Sequence, residues 1–350
     1  MSFPPSPKAT AGLAKARVHP ASGGGEAGHY ERRTVRDKFR ELSTLSDSIV
    51  SGDPRGIARG ISAVENDTEE GPALVRDLFA RSGRAFLVGV TGAPGAGKST
   101  LVDALISRWR KTSKTVGVLA VDPTSPFSGG AMLGDRVRMQ AHAHDEGVFI
   151  RSMATRGHLG GLARATTDAA LVLDAAGKDF VAIETVGVGQ DEVEIARIAD
   201  VSIVVLVPGM GDDVQALKAG VMEIADVFVV NKSDRDGADR TVGEIEALLG
   251  LHTYNDGEWR PTIVRTQATT GQGVDDLIEK IDQFRAQSAI VALRRRERAQ
   301  TQLRAILAAR LMRQIESRVS AIEMKQLVDR IAARAVDPYT AADEVLLEKQ

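Results

Sequence analysis

Gly92-Ala93-Pro94-Gly95-Ala96-Gly97-Lys98-Ser99 says more about the architecture of this 350-residue chain than any other part of it. It follows a β-rich apolar run, residues 85–90, and precedes an amphipathic helical segment, residues 98–109. A glycine-rich turn that ends in Gly-Lys-Ser between a strand and a helix is typical of a phosphate-binding loop. The glycines let the backbone curl until its N–H groups point at phosphate oxygens, and the helix adds its positive N-terminal end.

Two side chains at the end of this loop (the P-loop) are predicted to act directly on a nucleotide. We expect Lys98 to reach the β- and γ-phosphates and Ser99 to bind Mg²⁺ through its hydroxyl, which makes Mg²⁺ the expected cofactor. The predicted phosphate-binding residues are Gly92, Ala93, Pro94, Gly95, Ala96, Gly97, Lys98, Ser99 and Thr100.

Further short apolar runs alternate with helical stretches between residue 84 and about residue 287. They are residues 115–121, 148–150, 180–183, 201–207, 227–230 and 262–264. Strands of this kind, separated by helices, indicate a mostly parallel sheet covered by helices. The sequence therefore predicts an α/β protein of the P-loop NTPase class, which binds its ligands at the carboxyl ends of the strands.

Both ends of the chain differ from this central pattern. The first 25 residues are rich in Pro, Ser, Ala and Gly and have no acid before Glu26. This composition fits a disordered tail or, alternatively, an organelle transit peptide. The expected division is a tail at 1–33, an N-terminal helical cap at 34–83, the P-loop domain at 84–288 and a C-terminal helical region at 289–350.

The C-terminal region carries an apolar stripe on an Arg-rich helix. The stripe consists of Leu303, Leu307, Leu311, Ile315 and Val319. Two interpretations stay open: the stripe packs on its own domain, or it forms an interface between subunits. In the second case the region is a dimerisation arm and the protein is a homodimer.

A second motif predicts which nucleotide binds. Asn231-Lys232-Ser233-Asp234 comes directly after the apolar run 227–230. The Asp234 carboxylate can accept hydrogen bonds from both N1–H and the 2-amino group of guanine, whereas adenine offers neither donor. We therefore expect GTP and GDP, with the Asn and Lys of the motif at the base and the backbone of Gln267-Ala268-Thr269 completing the pocket. A loop-capping role is the alternative for the four-residue motif.

Acidic residues near strand ends are the candidates for supporting the metal. Glu184 ends an apolar run and is followed three residues later by Gly187, which suits a carboxylate behind Mg²⁺ and an amide donor to the γ-phosphate. Asp122 ends another run, and Asp135 follows it in a glycine-containing stretch. Both can approach Mg²⁺; the alternatives are a turn cap for Asp122 and a helix N-terminal charge for Asp135. Val188 replaces the Gln that orients water in Ras-like enzymes, so intrinsic hydrolysis is expected to be slow or to rely on another group. Gln190 is a candidate for that group, with hydrogen bonding in a turn as the alternative.

The composition argues against several other classes. The chain has no cysteine, which excludes disulfides, iron–sulfur clusters and thiolate zinc sites. A net charge of −2 and an aromatic share of 4% argue against a nucleic-acid partner. No apolar run approaches the roughly 20 residues that span a bilayer, so no membrane partner is expected. A bacterial cytoplasmic location is favoured, with the mitochondrial matrix as the alternative.

The motifs together resemble those of the methylmalonyl-CoA mutase-associated GTPases (MeaB/ArgK type), also known as ArgK-type transport kinases. They are Gly-Ala-Pro-Gly-Ala-Gly-Lys-Ser-Thr at 92–100, Val-Asp-Pro-Thr-Ser at 121–125, Glu-Thr-Val-Gly-Val-Gly-Gln at 184–190 and Pro-Gly-Met-Gly-Asp-Asp-Val-Gln-Ala-Leu-Lys at 208–218. The third is the most specific, because ordinary GTPases do not carry it. The resemblance covers the chain from about Thr34 to its C-terminus.

This resemblance implies a homodimeric G-protein chaperone that hydrolyses GTP to control cofactor loading and protection of an adenosylcobalamin-dependent methylmalonyl-CoA mutase. It implies that Arg138 assists hydrolysis; the alternative is that Arg138 is a charged residue on the surface of a helix. It also implies that residues 208–218 are an additional switch that signals to the mutase through Gln215 and Lys218. The expected catalytic residues are Lys98, Arg138, Glu184 and Gly187.

The sequence disfavours three other functions. A kinase for periplasmic binding proteins, suggested by the transport name, is disfavoured because the chain has no His-Arg-Asp or Asp-Phe-Gly motif. A nickel-insertion GTPase is disfavoured by the lack of cysteine and of a His-rich tract. A signal-recognition-type GTPase is disfavoured because a methionine-rich groove domain is missing.

Overall fold

The computed structural model describes residues 35–66, 68–123, 140–142, 144–155, 161–185, 197–209, 224–255 and 257–347. A sheet of seven strands, parallel in every pairing, lies at its centre. The strands are β1 Phe86–Gly92, β2 Val116–Pro123, β3 Val148–Thr155, β4 Phe180–Thr185, β5 Val201–Leu206, β6 Val227–Val230 and β7 Thr262–Arg265.

The strand order across the sheet is β3-β2-β4-β1-β5-β6-β7, so the strand that leads into the P-loop is central. β1 pairs with β4 on one side and with β5 on the other. The predicted α/β P-loop fold is therefore confirmed. The strands are largely Val, Ile, Leu and Ala. Every residue of the inner strands β1, β4, β5 and β6 is buried, as expected for a parallel sheet that is covered on both faces, whereas the edge strands β3 and β7 are mostly half-buried.

Ten α-helices are present in the described part of the chain. They are α1 Val35–Val50, α2 Pro54–Glu65, α3 Glu70–Leu78, α4 Lys98–Lys111, α5 Gly161–Ala175, α6 Ala238–Leu249, α7 Val274–Arg285, α8 Ser288–Arg318, α9 Ala321–Ala332 and α10 Pro338–Leu347. One core cluster joins the sheet to α4, α7 and the start of α8, and a second joins the other face to α1, α2, α3 and α5. A third cluster packs α6 on β5 and β6.

The three helices that precede β1 pack on the second of these faces. Asp53 begins α2: its carboxylate accepts hydrogen bonds from the N–H groups of Arg55 and Gly56, at 3.3 and 2.9 Å, and Pro54 occupies the first helical position. Ile57 and Ile61, one helical turn apart, are buried in the core. The three helices α1, α2 and α3 thus cover one face of the sheet and share its core.

A buried acid holds α8 to the edge of the sheet opposite the P-loop. Asp226, just before β6, accepts two hydrogen bonds from the Arg294 guanidinium, at 2.5 and 2.6 Å, and one from the Ser202 N–H at 2.7 Å. Its side chain is 4% exposed. Burial raises the pKa of Asp226 to about 6, although Arg294 and the Ser202 amide pull the pKa the other way.

A second buried acid holds the next turn of the same helix. Asp200, just before β5, accepts hydrogen bonds from Arg295 and Arg298 at 3.1 to 3.2 Å and from the Leu87 N–H at 3.0 Å. Its side chain is fully buried. The first eleven residues of α8 are therefore anchored to the sheet, which sets the direction in which the rest of the helix runs.

The apolar stripe lies on the part of α8 beyond this anchor. Leu303, Leu307 and Leu311 are 58%, 49% and 58% exposed, so packing on their own domain, one of the two interpretations left open by the sequence, is wrong for these side chains. Ile315 is half-buried and Val319 is buried.

Candidate nucleotide-binding site

The P-loop has the backbone geometry that its glycines predict. Gly92 has φ +137°, and a Cβ there would overlap the carbonyl oxygen of Val205 on β5, so only glycine fits. Gly97 has φ +90° and immediately precedes α4, which begins at Lys98. The loop therefore places the N-terminus of α4 at the carboxyl edge of the sheet, next to the central strand.

Lys98 lies inside the loop and is 5% exposed. Its Nζ donates to the carbonyl oxygens of Gly92 and Ala93, at 2.6 and 3.0 Å. A cation held at the mouth of the loop by its own backbone is suitably placed for phosphate oxygens. The remaining loop residues Ala93, Pro94, Gly95 and Thr100 are at least partly accessible, whereas Ala96 is buried.

Ser99 and Glu184 form a buried pair beside Lys98. The Ser99 hydroxyl donates to Glu184 Oε1 at 2.6 Å, and the two residues are 6% and 5% exposed. Glu184 lies on β4, opposite Val90 of β1, which explains how a residue 85 positions away in sequence reaches the P-loop helix. A hydroxyl and a carboxylate at this point supply the hard oxygen ligands that Mg²⁺ prefers, so the residues present fit the expected metal.

Asn231 connects three parts of the site. It follows β6, and its side-chain N–H₂ donates to the carbonyl oxygen of Ala96 in the P-loop at 2.8 Å. Its Oδ1 accepts from the Thr266 hydroxyl and from the Ala268 N–H, both at 3.1 Å. The Asn of the predicted guanine motif thus holds together the P-loop and the ends of β6 and β7.

The rest of the guanine motif lies at the same edge of the sheet. Lys232 has φ +54°, and its Nζ donates to the carbonyl oxygen of Gly95 at 2.8 Å, so its stem runs along the P-loop. Asp234 is exposed. A solvent-facing carboxylate is accessible to a base that enters from outside.

The backbone of 267–269 is already partly used inside the protein. The Ala268 N–H bonds to Asn231, and the Gln267 N–H bonds to the carbonyl oxygen of Gln272 at 3.0 Å. Thr269 is exposed, whereas Ala268 is 7% exposed. The segment lies where the sequence placed it, and Ala268 supports Asn231 in addition to any contact with a base.

Several predicted site residues lie outside the described part of the chain. They are Asp135, Arg138, Gly187, Gln215 and Lys218. For Asp122 the structure describes the backbone, which pairs with Ala154 near the end of β2, and not the side chain.

Sequence reasoning missed two groups of hydroxyls at the site. Thr266 is fully buried and orients the Asn231 amide. Thr91 and Thr185 are both 2% exposed and bond to each other at 3.1 Å beneath the P-loop. A local signal existed in each case, because Thr91 and Thr266 directly precede recognised motifs and Thr185 lies inside one, but each hydrogen-bond partner is far away in sequence.

Comparison with known proteins identifies the family. The model of the methylmalonyl-CoA mutase-associated GTPase MeaB matches residues 57–323. The chain belongs to the MeaB family. It is 48% identical over 312 residues to a Pyrococcus abyssi protein assigned to the GTPases, covering 88% of this chain and 96% of that one. It is 32% identical over 328 residues to the mouse protein named methylmalonic aciduria type A homolog, mitochondrial, covering 88% and 79%.

A solved structure agrees with this assignment. The crystal structure of a LAO/AO transport system kinase superimposes with a TM-score of 0.66 at 25% identity, covering 87% of this chain and 96% of that one. As a MeaB-family protein with a P-loop NTPase fold, the chain is a GTPase, as the sequence predicted. Across the described residues, every helix is too short or too polar to cross a bilayer.

Proposed function

We propose that this GTPase is a G-protein chaperone of an adenosylcobalamin-dependent methylmalonyl-CoA mutase, and that it uses GTP hydrolysis to control cofactor loading and to protect the mutase. The observation that carries the proposal is the family match over residues 57–323, because the family description names this mutase. The name of the mouse relative, which refers to methylmalonic aciduria, points in the same direction. The bacterial cytoplasm is the compartment we assign.

In this proposal the P-loop supplies the phosphate and metal chemistry. Lys98, held at the loop mouth, turns from the carbonyl oxygens of Gly92 and Ala93 to the β- and γ-phosphates. When bound, Mg²⁺ neutralises charge that develops on the phosphate oxygens. Ser99 supplies a ligand to it, and Glu184 orients that ligand across their 2.6 Å hydrogen bond.

The other predicted roles follow from the resemblance. Asp122 and Asp135 support the metal, Gly187 offers an amide to the γ-phosphate, and Arg138 assists hydrolysis. Gln215 and Lys218 transmit the nucleotide state to the mutase.

Guanine selection in this proposal depends on Asp234. The Asp234→Asn variant exchanges a double acceptor for a side chain that also donates, so it should lose GTP and gain xanthosine triphosphate, whose base carries a carbonyl where guanine has its amino group. We expect a loss of at least about tenfold in GTP affinity, measured by isothermal titration, because bidentate charge-assisted pairs contribute on this scale. Asp236→Asn, an exposed acid two residues further on, is the matched control and should bind GTP normally. Equal GTP affinity in Asp234→Asn and wild type would remove Asp234 from base recognition.

A homodimer through the C-terminal helices is part of the same proposal. The exposed leucines of α8 are joined by Ile322 on α9, 71% exposed, and Tyr339 on α10, 85% exposed. Exposed apolar side chains on three successive helices are unfavourable in water and fit a second copy of the chain. Sedimentation velocity should give twice the 37.3 kDa chain mass. A single species at the chain mass at micromolar concentration would contradict this part.

Cofactor loading tests the chaperone role itself. Apo-mutase is mixed with adenosylcobalamin in the presence of this GTPase and GTP, GDP or a non-hydrolysable GTP analogue, and holo-mutase is followed by the cofactor's visible absorbance. We expect the rate or extent of loading to depend on which nucleotide is present, and the dependence to vanish with Lys98→Ala. Identical loading under all nucleotides would overturn the chaperone proposal and leave the GTPase activity standing.

One alternative receives support from a comparison. The LAO/AO transport system kinase, whose structure this chain resembles, bears a kinase name. Incubation with γ-labelled GTP separates the two functions, because a kinase transfers the label to a protein and a hydrolase releases it as phosphate. Metal-insertion chemistry of the nickel type is the other alternative, and a metal titration tests it.

A further inference from the structure

The seam between β1 and β4 opens directly beneath the P-loop. The two strands pair from Phe86 and Phe180 up to Val90 and Glu184. Beyond that point β1 continues along β5, whereas Thr185 pairs with Val121 of β2. The pairing between β1 and β4 therefore ends at Glu184, the residue whose carboxylate accepts the hydrogen bond from Ser99.

The Thr185 hydroxyl bridges this seam one residue further on. It donates to the Thr91 hydroxyl at 3.1 Å, and both residues are 2% exposed. Thr185 shares the face of Ile183, which belongs to the core beneath α1, α2, α3 and α5, because alternate residues of a strand point to opposite faces. Glu184 consequently points to the other face, toward Ser99 on α4. The end of β4 is thus fixed to the P-loop elements on both faces by adjacent residues.

Stability alone does not require hydroxyls at this buried position. Two buried hydroxyls that bond to each other lose their hydration, and apolar groups of the same shape can replace such a pair at little cost. Valine is that shape, and it fills many other positions of these strands. The hydroxyl pair instead fixes geometry, because its hydrogen bond holds the side-chain rotamers of both threonines and the offset between the ends of β1 and β4.

We propose that Thr185 is a positioning residue that, through its hydrogen bond to Thr91, holds the Glu184 carboxylate at the distance from Ser99 that the magnesium site needs. Without the bond, the end of β4 can shift against β1, and the Glu184–Ser99 pair loses its geometry. The inference rests on the proposed magnesium role of Ser99 and Glu184. It extends that proposal by naming what positions the pair.

The test uses the full chain with Thr185→Val, which keeps the shape and removes the hydroxyl, and Thr185→Ser, which keeps the hydroxyl. The main readout is the release rate of a fluorescent GDP in Mg²⁺ and in EDTA. We expect Mg²⁺ to slow release in the wild type, and this slowing to fall by about fivefold in Thr185→Val, the scale of one lost hydrogen bond. Thr185→Ser should recover most of it. In steady-state hydrolysis, kcat should fall by a similar factor, whereas KM should change by less than about twofold.

A double variant, Thr91→Val with Thr185→Val, separates positioning from stability. Pairing two valines should restore the melting temperature that the single variant loses. The weakened Mg²⁺ effect should persist in this stable protein. If the Mg²⁺ effect returns together with the melting temperature, the pair is merely structural and the inference is wrong.

The result in the wild type distinguishes this inference from the proposal beneath it. If Mg²⁺ leaves GDP release unchanged in the wild type, the magnesium role itself fails and the positioning role fails with it. If Mg²⁺ slows release equally in the wild type and in Thr185→Val, the magnesium role stands and only the positioning role is overturned.

Discussion

The ion pair between Arg294 and Asp226 offers a quantitative test of how α8 is anchored. In Arg294→Met the apolar stem is kept and the guanidinium is lost, which leaves Asp226 buried with a hydrogen bond from the Ser202 N–H. Removing one partner of a buried ion pair costs about 3 to 5 kcal/mol, and the lower value applies because the Arg294 side chain is 27% exposed.

The pH dependence follows from the pKa of Asp226. Its folded-state pKa is raised from 3.8 to about 6, so the stability linked to its protonation is present below pH 3.8 and is lost as the pH rises through 6. Without the guanidinium the folded-state pKa of Asp226 rises further. The free energy of unfolding of Arg294→Met therefore continues to fall above pH 6. The deficit against the wild type should therefore be about 1 kcal/mol at pH 5 and about 3 kcal/mol at pH 8.

Urea unfolding followed by tryptophan fluorescence measures this deficit. Trp259 is a local reporter, since its indole N–H donates to the Asp226 carbonyl oxygen at 3.0 Å and its ring lies edge-on to Phe284. Arg296→Met, an exposed position on the same helix, is the matched control and should change stability by less than about 0.5 kcal/mol. Adding Asp226→Asn to Arg294→Met should remove most of the pH dependence. A deficit of the same size at pH 5 and pH 8 would show that Arg294 does not act through the ionised Asp226 carboxylate.

Two further substitutions test the link that Asn231 makes between the P-loop and the guanine motif. In Gly97→Ala the new Cβ would lie 2.5 Å from Asn231 Nδ2 at a φ of +90°, so GDP affinity measured by isothermal titration should fall by at least about tenfold; Gly177→Ala, at φ +79° with nothing within 4 Å, should bind GDP normally. In Thr266→Val, Asn231 loses the hydroxyl that orients it, and GDP affinity should fall by about fivefold. Thr262→Val is the control for Thr266→Val, because it removes a hydroxyl at the start of β7 that is buried and has no hydrogen-bond partner among the residues that the structure describes. Normal GDP binding in both test variants would mean that the Asn231 link is dispensable for the nucleotide.

The motifs that could be predicted from the sequence are those whose parts are neighbours in the chain. Gly92 to Ser99 form one turn, and Asn231 to Asp234 follow one strand, so spacing alone indicated their chemistry. The seven strands could be predicted because short, continuous runs rich in β-branched residues, separated by helical stretches, are typical of buried parallel strands.

Contacts between distant residues could not be predicted in this way. The Arg294–Asp226 and Arg295–Asp200 pairs join residues 68 and 95 positions apart, and a run of arginines on a helix is equally consistent with a solvated surface. The Thr185–Thr91 bond depends on the register between β4 and β1, which the sequence of either strand leaves open. The exposure of Leu303 depends on the direction that the anchored part of α8 imposes on the rest of the helix.

The proposed link to the mutase is decided by one measurement, the rate of GTP hydrolysis with and without purified methylmalonyl-CoA mutase. We expect a clear stimulation by the mutase that is absent with ATP and absent in Lys98→Ala. An unchanged rate, under conditions where GTP binds and the wild-type chain hydrolyses it, would contradict the proposed link.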